Sequence, residues 1–97
     1  MKVTAEQLIK QIATEIILGI APEYKQRNMT ARAVEIADDK AEGTATEEDI
    51  AESNLIRQTW AHITAIRDKS NELEAVYNGE ISRHEQKEIS DSLRSLA

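Results

Sequence analysis

The sequence predicts an all-α protein: an antiparallel helical hairpin or small bundle with a long third helix and a short C-terminal helix. Apolar side chains recur at spacings of three and four over most of the chain. The few helix breakers, one proline and three glycines, stand where this periodicity stops. We therefore predict one helical domain over residues 1–97, with helices at about 4–19, 22–41, 47–77 and 82–95.

The first helix begins at a capping pattern and carries a broad apolar stripe. Thr4 is followed three residues later by Gln7, the spacing at which a hydroxyl accepts a hydrogen bond from a free amide of the first turn. The stripe consists of Leu8, Ile9, Ile12, Ala13, Ile16 and Ile17. We expect Gly19 to end the helix in the left-handed conformation, and Pro22 to suit the first turn of the next helix.

The second helix has a narrower apolar stripe. Its members are Tyr24, Met29, Ala33, Val34, Ile36 and Ala37. Three cations, Lys25, Arg27 and Arg32, fall mostly outside it. We interpret them as the polar face of a packed helix, with Arg32 beside Glu35 as an ordinary surface pair. An acidic turn over residues 38–49, with six acids and one lysine, leads to the third helix.

The third helix is the longest element. Its seam alternates spacings of three and four through Ile56, Thr59, Ile63, Ile66, Ser70, Leu73 and Tyr77, and Leu55 and Trp60 flank it. Two hydroxyl residues dilute this coiled-coil pattern, which favours a hairpin or bundle with this helix as its spine. Thr46 with Asp49 and Ser82 with Glu85 predict capped starts for the third and fourth helices.

Composition limits the classes of function. The 97 residues carry a formal net charge of −6, which disfavours binding to phosphate backbones, so no nucleic acid is expected as a partner. The chain has no cysteine, which excludes a disulfide framework and a thiolate zinc site. No apolar run approaches the roughly 18 residues of a membrane span, so we expect a soluble protein without a membrane partner.

No pattern of residues predicts catalysis, a cofactor or a metal. His84 is followed by Glu88 where the zinc-protease motif needs a second histidine, and His62 stands alone. No glycine loop for phosphate and no nucleophile with a base are present. We expect a protein that is not an enzyme, with no cofactor and no metal ligand.

One segment resembles small α-helical proteins of bacteriophages, either tail-fibre-associated, other virion or uncharacterised proteins. The resemblance covers about residues 22–77, a little over half the chain. It rests on Tyr24, the triplet Gln26-Arg27-Asn28, the pair Ala31-Arg32, Trp60, Ile66-Arg67, Asn71 and Leu73. The resemblance implies a phage-encoded helical protein in which Tyr24, Arg27 and Asn28 lie against the region of Trp60, Ile63 and Arg67.

Two functions remain open from the sequence. The first is a structural or assembly protein, made in the host cytoplasm and built into the virion, that packs with itself or with other phage structural proteins. Its expected interaction residues are Tyr24, Arg27, Asn28, Trp60, Ile63, Ile66, Arg67, Leu73 and Tyr77, the kinds of side chain that dominate helix interfaces. The second is a regulatory or host-directed phage protein that binds a cellular target through its acidic helical surface.

Overall fold

The computed structural model describes residues 3–97, and within them the chain forms four helices. They are α1 (Ala5–Ile20), α2 (Glu23–Glu42), α3 (Glu47–Val76) and α4 (Arg83–Arg94). The predicted all-α fold with a long third and a short last helix is confirmed, and every helix end lies within one residue of its expected position.

The molecule is a rod of 56 × 19 × 18 Å with α3 as its spine. At about 1.5 Å per residue, the 30 residues of α3 extend over roughly 45 Å, longer than any other helix of the described chain. α1 packs on the C-terminal half of α3, and α2 packs on the N-terminal half. Together they lie along the spine one after the other, and α3 runs antiparallel to both.

α4 completes a three-helix bundle at one end of the rod. A short antiparallel bridge starts it beside α1: the Ile81 amide donates to the Val3 carbonyl at 3.1 Å, and the Ala5 amide donates to the Gly79 carbonyl at 2.8 Å. At its other end Arg94 Nη2 lies 3.4 Å from Glu15 Oε2 of α1. α4 therefore runs parallel to α1.

Two buried clusters correspond to the two halves of the rod. The bundle half buries Ala5, Ile9, Ile12, Ala13, Ile16, Ile66, Leu73, Ile81, Ile89 and Leu93. The hairpin half, formed by α2 and α3, buries only Ala21, Met29, Ile36, Ile56 and Ile63. Since the hairpin has two helices where the bundle has three, it buries less apolar surface.

The helix ends explain the breaks between elements. Thr46 with Asp49 and Ser82 with Glu85 form complete reciprocal capping boxes, as predicted, and the Thr4 hydroxyl accepts from the Gln7 amide. Gly43 ends α2 with φ +75°, a conformation that favours glycine.

The expectation for Gly19 is wrong. This glycine is helical within α1, and the helix instead ends at Ala21, which is extended with φ −146° and ψ 100°. Pro22 gives the reason, because its ring disfavours the helical conformation of the residue before it. The Ala21 amide still donates to the Ile17 carbonyl at 2.8 Å, and α2 begins directly after Pro22.

The apolar stripe expected on α2 is also partly wrong. Met29 and Ile36 are buried and Ala33 is half-buried, but Tyr24 is 63% exposed and Val34 is 58% exposed. Tyr24 and Val34 lie on a different face of the helix from Met29 and Ile36. α2 therefore has a second apolar face that α3 does not cover.

We expect Ile66→Ala to destabilise the protein by about 2–5 kcal/mol, because Ile66 is fully buried between α3 and the other bundle helices and truncation leaves a cavity. Urea unfolding followed by circular dichroism measures the change. The matched variant Val76→Ala, at a site 67% exposed on the same helix, should change the free energy of unfolding by about 0.5 kcal/mol or less. Equal effects of the two variants would contradict this packing.

Candidate interaction site

The α2–α3 hairpin is the part of the molecule with the most uncovered apolar surface. Exposed large apolar side chains on it are Tyr24, Val34, Ile50 and Leu55. In the bundle half, α4 covers the equivalent surface of α3. The hairpin has two open flanks, one beside Trp60 and one beside Leu55, which we call the Trp60 flank and the Leu55 flank.

The Trp60 flank holds two adjoining grooves that share the half-buried indole. The first groove, of about 440 Å³, is lined by Gln26, Arg27, Thr30, Ala31, Val34 and Trp60. The second, of about 480 Å³, is lined by Ala33, Ile36, Ala37, Lys40, Ser53, Ile56, Arg57 and Trp60. Both combine aliphatic side chains and the indole with polar and cationic side chains, and tryptophan and arginine are enriched in protein interfaces.

This flank is cationic in an acidic protein. Arg27, Lys40 and Arg57 line its grooves, and none of them makes an ion pair with another residue of the described chain. All three side chains are exposed. The flank therefore favours a surface that carries negative charge together with apolar groups.

The Leu55 flank is held together by Arg32. Its groove, of about 580 Å³, includes Met29, Leu55, Ile56 and Thr59. Arg32 joins α2 to α3 there, with Nε 2.9 Å from Glu52 Oε2 and Nη2 2.6 Å from Asp49 Oδ1, while Nη1 donates to Glu35 Oε2 at 3.1 Å. Arg32 thus pairs with three carboxylates, whereas Lys25, which also lines this groove, makes no ion pair with another residue of the described chain.

The acidic neighbours of Arg32 raise the pKa of its guanidinium, with hydrogen bonds to Glu52 and Glu35 as the main causes. Asp49 has two partners: its Oδ2 accepts from the Thr46 amide at 3.1 Å, and its Oδ1 accepts from Arg32. These bonds lower the pKa of Asp49, the backbone bond to Thr46 contributing most. One carboxylate thus caps α3 and links it to α2.

The bundle half has a separate polar cluster. The Tyr77 hydroxyl donates to Glu88 Oε2 at 2.6 Å, and His84 Nε2 lies 2.8 Å from Glu88 Oε1. The hydrogen bond to Glu88 raises the pKa of Tyr77. His62 bonds to the Leu96 carbonyl, which holds the end of α4 against α3. Among residues 3–97, no three potential metal ligands of the His, Cys, Asp or Glu type come together.

The structure separates the nine expected interaction residues into three groups. Ile63, Ile66 and Leu73 are buried in the core, and Trp60 and Tyr77 are half-buried. Tyr24, Arg27, Asn28 and Arg67 are exposed. The core residues hold the fold itself, so only the exposed and half-buried groups are accessible to a partner.

The residues expected to pair α2 with α3 are wrong, although the two helices do lie side by side. The two helices do pack together, but Met29, Ala33 and Ile36 make the contact. Of the three expected residues, Arg27 shares a groove with Trp60, Asn28 lies on the opposite flank, and Tyr24 is largely exposed. Arg67 lines a groove with Lys10 and Ile17 of α1. Tyr24, Arg27 and Asn28 stand at spacings of three and four, so they share one side of α2, and all three are exposed because Met29 and Ile36 on the other side contact α3.

Sequence reasoning missed two features of the hairpin. It assigned Val34 to the packed stripe, although its spacing of seven from Arg27 and of three from Ala31 places it on their face. It also paired Arg32 only with Glu35, because Asp49 and Glu52 lie on another helix, and only the antiparallel register of α2 and α3 brings them within reach.

Comparisons with protein-family models, with curated proteins and with solved structures each found no match to the chain. Across the described residues, no helix combines the length and the apolar character that crossing a membrane requires.

We expect the Asp49 contribution to stability to be lost in acid. Because the folded-state pKa is depressed, this contribution is present above the unfolded pKa, near 3.8, and declines as pH falls through the lower folded value. Urea unfolding of the wild type and Asp49→Asn at several pH values tests this. The gap in the free energy of unfolding should be widest near neutral pH and close in acid, and a gap independent of pH would contradict it.

Proposed function

We propose that this chain is a non-enzymatic assembly protein that acts by packing the open α2–α3 hairpin against other helices. One observation carries the proposal: the same spine helix is covered by two helices in the bundle half and by one in the hairpin half. Small helical proteins with limited cores commonly gain stability from a partner that covers such a surface.

The exposed residues of the hairpin support this function. Val34 and Leu55 are 58% and 63% exposed on opposite flanks, and Trp60 is half-buried between two grooves. Aromatic and aliphatic side chains in shallow grooves are typical anchors for a docking helix.

The setting we propose is the bacteriophage particle, as a structural component of its head, tail or tail fibres. This part of the proposal rests on the resemblance of residues 22–77 to small helical phage proteins. The acidic surface is consistent with the alternative of a host-directed regulator, although three of the hairpin acids, Glu35, Asp49 and Glu52, pair with Arg32, and Asp49 also caps α3.

Mass spectrometry of purified particles of the encoding phage tests the proposal. We expect the chain at a stoichiometric level in intact particles, since an assembly protein of the virion stays bound to its neighbours. Its absence from particles, together with a host protein bound at equal stoichiometry, would show that the host-directed function is correct instead.

A substitution series connects the particle to the hairpin. We expect Val34→Glu combined with Leu55→Glu to lower incorporation into particles at least several-fold, because charge on both flanks opposes apolar docking. The control is Val76→Glu, an equally exposed position outside the hairpin grooves. Circular dichroism should show unchanged helicity for all variants, and normal incorporation of the double variant would contradict docking through the hairpin.

A further inference from the structure

α2 carries a second heptad seam on its solvent face. The seam consists of Tyr24, Arg27, Ala31, Val34, Asp38 and Ala41, at alternating spacings of three and four. All six residues are exposed. The buried seam of Met29, Ala33 and Ile36 already contacts α3, so the outward seam has no role in the fold of the described chain. Such spacing on one face is typical of helix–helix packing.

The charges of this seam are arranged symmetrically about its middle. Ala31 and Val34 form the apolar centre, with Arg27 four residues before Ala31 and Asp38 four residues after Val34. Neither Arg27 nor Asp38 makes an ion pair within residues 3–97. The seam therefore presents one unpaired positive and one unpaired negative charge, equally far from an apolar centre.

Only one arrangement of two such seams satisfies both charges. When two copies of α2 lie antiparallel around a two-fold axis at the seam centre, Arg27 of each copy faces Asp38 of the other, and Ala31 faces Val34. A parallel arrangement would place Arg27 against Arg27 and Asp38 against Asp38, which is repulsive. A uniformly acidic partner helix would pair with Arg27 but be repelled by Asp38.

Trp60 adds an anchor beside the seam. It lines the groove of about 440 Å³ together with Arg27, Ala31 and Val34, so a second helix on the seam would cover the groove and bury more of the indole. Tryptophan contributes strongly at the centre of protein interfaces when surrounding contacts exclude water from it.

We propose that the chain forms an antiparallel two-fold dimer through the outward seam of α2. The dimer joins two α2–α3 hairpins into a four-helix arrangement in which the outward face of each α2 is covered by the α2 of the other copy. This inference rests on the proposed assembly function and specifies its first step: the partner of the Trp60 flank is a second copy of this chain.

Charge exchange at Arg27 and Asp38 tests the antiparallel register. In Arg27→Glu, two acidic side chains face each other at both ends of the seam, and in Asp38→Arg two cations do so. Sedimentation equilibrium should show dimerisation of each single variant weakened roughly tenfold or more, since two symmetry-related contacts change from attraction to repulsion.

Two rescue measurements distinguish a direct pairing from a general loss of stability. An equimolar mixture of the two single variants should recover wild-type affinity as a heterodimer. In that heterodimer the introduced glutamate of one copy faces the introduced arginine of the other, and the unchanged Asp38 faces the unchanged Arg27. The double variant R27E/D38R should also recover, since both pairs are restored with exchanged signs.

Other dimers would respond differently to these exchanges. In a parallel dimer like charges already face each other in the wild type, so neither single exchange would weaken it. A dimer through another face would be indifferent to all of the exchanges. Either result would contradict the antiparallel register.

Val34→Glu provides the apolar test, with Val76→Glu as the matched control on another face. The first should abolish dimerisation and the second should leave it at the wild-type level, while circular dichroism confirms that both remain helical. The inference is overturned if the wild type remains monomeric at its highest soluble concentration, or if charge exchange has no effect.

The outcome separates this inference from the proposed function. A monomeric wild-type protein that is present in particles would overturn the dimer and leave the assembly function standing. A dimer with the expected charge rescue, from a chain absent from particles, would overturn the virion function and leave the dimer standing.

Discussion

The length of α3 is the constraint on which the rest of the structure depends. α3 has 30 residues and a length of about 45 Å, and its apolar seam from Ile56 to Tyr77 occupies about 32 Å of it, more than the roughly 30 Å of α2 or the roughly 24 Å of α1. α1 covers the C-terminal half of α3 and α2 covers its N-terminal half, and the two helices meet at the Ala21–Pro22 junction. The junction thus allows two shorter helices to follow one straight spine, and it creates two halves with different packing.

The two halves are stabilised by different means. The bundle half has ten buried apolar residues from three helices and the segment before α4, whereas the hairpin half has five and adds the Arg32 contacts to Glu52 and Asp49. Exposed ion pairs contribute little individually, so these contacts serve mainly to fix the register of α2 on α3. Fixed register matters because it places Trp60 beside Ala31 and Val34 and so shapes the Trp60 flank.

The sequence predicted helices, caps and the α3 seam well because these depend on spacing within one segment. Thr46 with Asp49 and the alternation from Ile56 to Tyr77 needed no knowledge of neighbouring helices. The face of α2 that contacts α3 was harder to predict, because Met29, Ile36, Tyr24 and Val34 supply apolar residues on two faces. The spacing of residues within α2 does not show which of these two faces contacts α3. It also does not identify Asp49 and Glu52 of α3 as partners of Arg32.

The order of contacts along the chain has a consequence for folding. α2 and α3 are joined by the short turn from Gly43 to Thr46, so their contacts are close in sequence, whereas the bundle needs contacts such as Arg94 with Glu15, 79 residues apart. Closing short loops costs less entropy than closing long ones, so we expect the hairpin to form before the bundle closes. In this order the grooves of the Trp60 flank are complete before the bundle closes.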